Sequence, residues 1–148
     1  MAGSSSCGHR REGWSIVNGV AQIAALVGAL AYIGAAPVEM FFFSRPAARA
    51  FLHVEADNVD DVQMWAFVVG FRNMLAGIAT IVGLIMLRTG DEAIGGAVVI
   101  TACWYMLLAS LAMGIADMLG YWRPRGGSVL GTIGSSLPPL VALGAVAL

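Results

Sequence analysis

The sequence predicts an all-α membrane protein: a four-transmembrane-helix antiparallel bundle with a short interfacial helix between spans 1 and 2. Hydrophobic residues make up 59% of the 148 residues and charged residues 11%. Soluble domains usually contain about 45–50% apolar and about 25% charged residues, so both values indicate a membrane protein. Four apolar runs are each near or above the roughly 20 residues that cross a bilayer. Backbone polar groups find no water in lipid, so each run should be helical.

The chain divides into a tail and one membrane domain. Residues 1–12 are small, polar and charged, which predicts a disordered tail. Residues 13–148 form the domain. Its fourth span contains Pro138 and Pro139, which should kink that span or start a new helix there. The spans are predicted at residues 16–36, 62–87, 93–119 and 129–148.

The connections between the spans differ in length. Residues 88–92 form a tight turn and residues 120–128 are also short, whereas residues 37–61 form a long connection. Within it, Arg45–Leu52 predicts a short amphipathic helix in the membrane interface. Four spans place both termini on one side. We expect the protein to lie in the cell membrane. Because arginines outside the spans are slightly more numerous on the side opposite the termini, the sequence favours an orientation with both termini outside.

The composition argues against several function classes. A net charge of -1 gives no reason to expect a basic face that binds nucleic acid. The sequence contains only two histidines, so no haem site is predicted, and no other cofactor is predicted either. His53, Glu55 and Asp57 alternate along the long connection, but one histidine makes a weak zinc candidate and solvated loop charge is favoured. No metal site is therefore predicted. His53 is instead a candidate proton donor near Glu39, since histidine titrates near neutral pH.

Arg72 and Asn73 lie inside the second apolar run. An arginine at the centre of a span costs at least about 2.5–3.5 kcal/mol and needs a partner or a wet cavity. Glu39, at the end of the preceding run, is the best partner in the sequence. One interpretation is a structural ion pair that fixes helix register. The other is the polar end of a cavity, with Glu39 as acid or base and with Arg72 and Asn73 binding an anion or a carbonyl.

Asp117 lies close to the end of the third span and, by topology, on the same membrane side as Glu39. It is either an interfacial carboxylate that pairs with Arg123 or Arg125, or a second catalytic candidate that opens with Glu39 on one cavity. Two carboxylates with differently shifted pKa values could then divide the acid and base roles. Five aromatic residues either pack against helices and lipid or form the walls of that cavity: Phe42, Trp65, Phe71, Trp104 and Tyr105.

With the spans placed, three stretches resemble one family. They are Tyr32-Ile33 with Glu39-Met40-Phe41, Pro46 and Arg49-Ala50-Phe51; Gly70-Phe71-Arg72-Asn73 with Leu75-Ala76; and Leu137-Pro138-Pro139-Leu140-Val141-Ala142-Leu143. Residues 31–148 thereby resemble DUF1304, a small bacterial integral-membrane family and a domain of unknown function. The chain departs from the pattern at Val68-Val69, where the family tends to have Asn-Gln, and at Arg72, where it has Tyr. The resemblance implies a four-helix membrane bundle and no particular reaction.

Three functions are compatible with these features. The first is a small integral membrane protein, in the lipid bilayer, with an intrabundle polar site for a hydrophobic small molecule. The alternative is a membrane-embedded acid/base enzyme of isomerase, cyclase or epoxide-opening type, acting on an apolar terpenoid- or lipid-like substrate. That alternative rests on an analogy of fold. A second alternative is a structural subunit of a membrane complex. A homo-oligomer is compatible with each of them.

Overall fold

The computed structural model of the protein describes residues 17–52 and 59–146. Within those ranges the chain is helical, without strands. The helices are α1 (Gly19–Met40), α2 (Pro46–Leu52), α3 (Val59–Thr89), α4 (Glu92–Met118) and α5 (Val129–Val146). All but the short α2 are long and apolar enough to cross a membrane. The predicted four-helix bundle is confirmed, and the chain is a multi-pass membrane protein. The predicted tail at residues 1–12 and His53 lie outside the described residues.

The four long helices form a ring in which each packs against the next. α1 packs against α3 and α5, and α4 also packs against α3 and α5, so that α1 and α4 face each other across the diagonal. Successive long helices are antiparallel. Residues 41–52 and 119–128 therefore lie at one end of the bundle, the loop face. The turn between α3 and α4 lies at the other end, the turn face.

Two of the long helices continue through prolines. The first span was expected to end at residue 36, but α1 continues through Pro37 to Met40. Pro37 lacks only its own N–H, and its carbonyl still accepts a hydrogen bond from the Phe41 N–H at 2.9 Å. Glu39 is consequently held on the last turn of α1. The fourth span likewise remains one helix through Pro138 and Pro139, so no new helix starts there.

Side-chain caps fix the helix ends at the turn face. The Asp91 carboxylate accepts hydrogen bonds from the N–H groups of Ala93 and Ile94, at 3.0 and 3.1 Å, and begins α4 immediately after the predicted turn. Asn18 caps α1 and also donates its amide to the Ala145 carbonyl of α5. This end of the bundle is thereby joined by polar contacts between helices that are distant in sequence.

Small residues set the spacing between the helices. A Cβ atom added at Gly77 would lie 2.7 Å from the carbonyl oxygen of Ala29, and one at Gly95 would lie 2.9 Å from that of Gly83. Such distances leave no room for a side chain, so glycine is required where α1 meets α3 and where α3 meets α4. Cys103 is 1% exposed and packs in the core, as the sequence predicted.

Candidate functional site

A hydrogen bond between Glu39 and Asn73 joins α1 to α3 near the loop face. The Asn73 Nδ2 donates to Glu39 Oε2 at 2.8 Å, and both side chains are half-buried. The second carboxylate oxygen, Oε1, accepts no hydrogen bond from the described part of the chain. The carboxylate is therefore held in place through one oxygen and keeps the other for a further donor.

Gly70 brings the two helices close enough for this bond. A Cβ atom at residue 70 would lie 2.6 Å from the Met40 Cγ, 2.8 Å from the Ala36 carbonyl oxygen and 3.0 Å from the Glu39 Cβ. Asn73 follows Gly70 by three residues and thus lies on the same face of α3. The close approach at Gly70 therefore positions the Asn73 amide opposite the Glu39 carboxylate.

Glu39 lines a cavity of about 520 Å³ between the end of α1 and α2, which we call the α1–α2 cavity. Apart from Glu39 and Arg45, the side chains that line it are apolar. Gly34 forms part of the α1 wall, and a Cβ atom added there would meet nothing within 4 Å. The residues that line the cavity are Gly34, Ala35, Val38, Glu39, Phe42, Arg45, Ala47, Ala48 and Leu52.

The chain reverses direction at this cavity through a tight turn. The Arg45 N–H donates to the Phe42 carbonyl at 2.9 Å, and Pro46 begins α2 at the position where a proline is best tolerated in a helix. The Arg45 guanidinium carbon lies 4.8 Å from the centroid of the Phe42 ring, a cation–π distance. A positive charge and an aromatic ring thus line the same cavity as the Glu39 carboxylate.

Arg72 faces a different part of the bundle. Successive residues of an α-helix are rotated by about 100°, so the residue before Asn73 cannot also face α1. Arg72 is exposed and lines an open groove of about 860 Å³ between α3 and α4, the α3–α4 groove. The expected Arg72–Glu39 ion pair is replaced by the Asn73–Glu39 hydrogen bond. The groove is lined by Arg72, Leu75, Ala76, Ala79, Ala93, Ile94, Ala97, Val98, Thr101, Ala102 and Tyr105.

Asp117 anchors the loop that leads into α5. Its Oδ1 accepts a hydrogen bond from the Gly126 N–H at 2.9 Å, and its Oδ2 accepts from the Ser128 N–H and O–H at 3.1 and 2.7 Å. The side chain is only 6% exposed. Asp117 does not line the α1–α2 cavity, so the structure does not bring it together with Glu39. Neither Arg123 nor Arg125 supplies these hydrogen bonds, but the positive charge of Arg125 stabilises the carboxylate. The two carboxylates share a membrane side, as predicted, but occupy separate environments.

A scan against protein-family models matches residues 25–147 to the family described as protein of unknown function (DUF1304). The match begins in the first third of α1 and extends past the end of α5, so it covers most of the chain. The chain belongs to the DUF1304 family. No curated protein and no solved structure matches it.

The stretches through which the sequence resembles DUF1304 coincide with contacts between helices. Glu39 and Asn73 form the hydrogen bond between α1 and α3. Pro138 and Pro139 lie against Gly28 of α1, where an added Cβ atom would be 3.4 Å from the Pro138 Cβ. The departure at Arg72 falls in the α3–α4 groove. The residues that resemble the family therefore include the polar contact at the α1–α2 cavity, and the departure at Arg72 lies outside that cavity.

The aromatic residues expected to wall one cavity are dispersed in this DUF1304 protein. Phe42 lines the α1–α2 cavity with Glu39, and Tyr105 lines the α3–α4 groove with Arg72. Trp65, Phe71 and Trp104 line neither, with exposed fractions of 63%, 43% and 50%. Among the described residues, Phe42 and Tyr105 therefore belong to two separate environments, one with Glu39 and one with Arg72.

One buried polar contact was not predicted from the sequence. The Tyr32 O–H donates to the Met106 carbonyl at 2.7 Å and lies 2.8 Å from the Ser110 Oγ, which itself donates to the same carbonyl at 2.8 Å. This contact joins α1 to α4 across the diagonal of the bundle. A hydroxyl within an apolar run does not indicate which residues of another helix it will contact, but Tyr32 does belong to the DUF1304-like stretch.

Proposed function

We propose that this protein binds a hydrophobic small molecule with a polar head in the α1–α2 cavity. The observation that supports the proposal is the Glu39 carboxylate, which Asn73 holds through Oε2 while Oε1 accepts no hydrogen bond from the described residues. The carboxylate lines a mostly apolar cavity whose volume of about 520 Å³ is typical of small-molecule sites. Since the Arg45 guanidinium is over the Phe42 ring, the Glu39 carboxylate is the oriented acceptor in this mostly apolar cavity, which selects a ligand with a matching polar end.

The chemistry of the cavity defines the ligand class. A carboxylate oxygen accepts hydrogen bonds, so the polar end of the ligand is a hydroxyl or an amine. The apolar body lies against Ala35, Val38 and the Phe42 ring. Because α1 and α2 meet near the loop face, the ligand enters from the lipid or from the membrane interface. An amphiphile with a donor head, such as a terpenoid alcohol or an alkyl amine, satisfies both requirements.

Native mass spectrometry of the detergent-solubilised protein tests the proposal with farnesol and dodecylamine as probes. Wild-type protein should retain both. Gly34→Leu should abolish retention of both, because its side chain extends into the cavity from a position with nothing within 4 Å. Gly134→Leu, at an equally open position on α5 outside the cavity, is the matched control and should bind normally.

A variant of Glu39 tests whether its carboxylate contacts the polar head of the ligand. Glu39→Gln keeps the shape of the side chain and removes its charge, so dodecylamine retention should fall more than farnesol retention. Retention of both probes by Gly34→Leu at the wild-type level would show that the cavity is not the binding site. Equal retention of dodecylamine by Glu39→Gln and wild type would show that the carboxylate does not face the ligand.

An acid/base enzyme is a second candidate, favoured by the same Oε1 atom. A carboxyl group positioned through one oxygen can exchange a proton with a substrate through the other. Since Asp117 is hydrogen-bonded to the loop, this version uses Glu39 alone and not a pair of carboxylates. An epoxide of farnesol is a suitable substrate probe: Glu39 would donate its proton to the epoxide oxygen as the C–O bond breaks, and water would add to the carbon and return a proton to the carboxylate. Ring opening that disappears in Glu39→Gln and persists in Asp117→Asn would support the enzyme, and equal loss in both would contradict it.

We further propose that the protein resides in the cell membrane with its termini outside, since the loop face carries the larger number of arginines. Labelling of intact cells with an impermeant maleimide tests this in a Cys7→Ala/Cys103→Ala background. Gly90→Cys, at the turn face, should react, whereas Arg123→Cys, at the loop face, should react only after the cells are lysed. The reverse pattern would place the termini inside.

A further inference from the structure

We propose that the ligand of the α1–α2 cavity is a zwitterionic aminophospholipid, whose ammonium group binds Glu39 and whose phosphate binds Arg45. This inference rests on the proposed function, because it names the class of amphiphile that the cavity takes. Two charged side chains of opposite sign line the cavity, and its other lining residues are apolar. A head with a single charge pairs with one of the two side chains, whereas a zwitterionic head pairs with both.

The two charged side chains of the cavity are held by different partners. Glu39 accepts a hydrogen bond from Asn73 through Oε2, and the Arg45 guanidinium carbon lies 4.8 Å from the centroid of the Phe42 ring. Within residues 17–52 and 59–146, the two side chains form no ion pair with each other, and the Arg45 guanidinium donates no hydrogen bond. A carboxylate and a guanidinium therefore line one cavity and leave space between them for the charges of a ligand.

Each of these groups matches one half of a phosphoethanolamine head. The Glu39 Oε1 atom is a hydrogen-bond acceptor, and a primary ammonium offers N–H donors together with the opposite charge. The Arg45 guanidinium presents paired N–H donors that match two phosphate oxygens. A short ethylene link joins the ammonium and the phosphate, so one head can contact both side chains. A phosphate without an ammonium would instead bring its negative charge toward the Glu39 carboxylate, which disfavours anionic lipids.

The depth of the cavity agrees with a lipid of the leaflet at the loop face. Glu39 lies on the last turn of α1, which runs toward the loop face, and Arg45 lies beyond it in the turn before α2. Both charged groups are therefore at the headgroup end of the cavity. Its apolar wall extends along α1 from Val38 back to Gly34, which is about 8 Å from Glu39 at 1.5 Å per residue. The tails of a lipid bound there point toward the bilayer centre, as they do in that leaflet.

Competition among three lipids with identical tails tests the inference. The protein is exchanged into nanodiscs containing equal amounts of dioleoylphosphatidylethanolamine, dioleoylphosphatidylcholine and dioleoylphosphatidylglycerol, released, and analysed by native mass spectrometry. Wild-type protein should retain the ethanolamine lipid at least about tenfold more often than either of the others, because choline has no N–H donor for Glu39 and the glycerol head has no positive charge. Glu39→Gln should bring the ethanolamine and glycerol lipids near parity.

Variants of Arg45 test the phosphate contact. Arg45→Gln should lower retention of the ethanolamine lipid at least about tenfold, and Arg45→Lys, which keeps the positive charge, should restore part of it. Arg123→Gln removes an exposed arginine at the loop face outside the cavity, so it is the matched control and should retain the lipid like wild type. Thermal unfolding in detergent verifies that each variant is folded.

Three results would overturn the inference. Equal retention of the three lipids by wild type, or wild-type retention of the ethanolamine lipid by Arg45→Gln, would remove the zwitterionic head while farnesol retention that Gly34→Leu abolishes would leave the proposed function standing. Farnesol retention that Gly34→Leu does not change would overturn both. Free O-phosphoethanolamine should not displace the lipid at equal concentration; displacement would show that the ligand is the soluble head and not a phospholipid.

Discussion

Replacement of Asp117 by alanine should release the loop that leads into α5. The carboxylate accepts three hydrogen bonds, from the Gly126 N–H and from the N–H and O–H of Ser128, at 2.9, 3.1 and 2.7 Å. Hydrogen bonds to a charged group contribute about 1.5–3 kcal/mol each, but they are not additive because water reaches part of the opened loop. We therefore expect the free energy of loop opening to fall by about 2–4 kcal/mol.

Tryptic cleavage between Arg125 and Gly126 measures this opening, because the N–H of the scissile bond is the group that Asp117 holds. Cleavage under native conditions requires local opening, and its rate follows the opening equilibrium when reclosing is fast. A loss of about 2–4 kcal/mol corresponds to cleavage roughly 30- to 1000-fold faster, at about 1.4 kcal/mol per factor of ten. Peptide mapping of timed digests of the detergent-solubilised protein gives the rate.

Two variants show whether the effect belongs to these hydrogen bonds. Asp117→Asn keeps an acceptor for Gly126 but presents an N–H₂ group where Ser128 needs an acceptor, so its cleavage rate should be intermediate. Asp91→Ala removes the cap of α4 at the turn face and should leave cleavage at Arg125 unchanged. If Asp117→Ala is cleaved no faster than wild type, the loop is held by other contacts and the reasoning is refuted.

Two further predictions concern the contact between α1 and α3. A double-mutant cycle of Glu39→Ala and Asn73→Ala should show a coupling energy of about 0.5–3 kcal/mol in detergent unfolding. The control cycle of Glu39→Ala and Arg72→Ala should be additive within about 0.5 kcal/mol. Additivity in the first cycle would contradict the hydrogen bond. Gly70→Ala should lower the midpoint of thermal unfolding, because its methyl would lie 2.8 Å from a backbone oxygen of α1. Gly134→Ala, in open space, should leave the midpoint unchanged or raise it, and equal midpoints for the two variants would contradict the close approach.

The fold could be predicted from the sequence because it depends on lengths and composition. Apolar runs of spanning length determine the number of helices, and short connections make neighbours antiparallel. The first span was predicted to end at residue 36, whereas α1 continues through Pro37, because a proline ends a helix only on average. In α1 the helix continues for one more turn, which moves Glu39 from the expected connection into a helix. The position of the Glu39 carboxylate thus depends on the continuation of α1 through Pro37.

The candidate site could be predicted only in part, since sequence does not specify which face of a helix meets which neighbour. Glu39 and Asn73 were both expected in the site and are in contact. The contributions of Arg45, in the turn before α2, and of α2 itself were missed, because a cavity between a span and a short interfacial helix depends on the angle at which the chain reverses. The role of Asp117 was left between two alternatives. Its hydrogen bonds go to Gly126 and Ser128, which the sequence did not predict, and the positive charge of Arg125 also stabilises its carboxylate, in the direction of the first alternative.

The division of the polar groups follows from the geometry of α3. Gly70 and Gly77 must face α1, because Cβ atoms there would lie 2.8 and 2.7 Å from carbonyl oxygens of that helix. Asn73 lies between them along the same face and therefore meets Glu39. Arg72 is rotated by about 100° and must face away from that contact. Because the glycines fix the face of α3 that meets α1, the Asn73 amide lies inside the bundle and the Arg72 guanidinium lies at its surface.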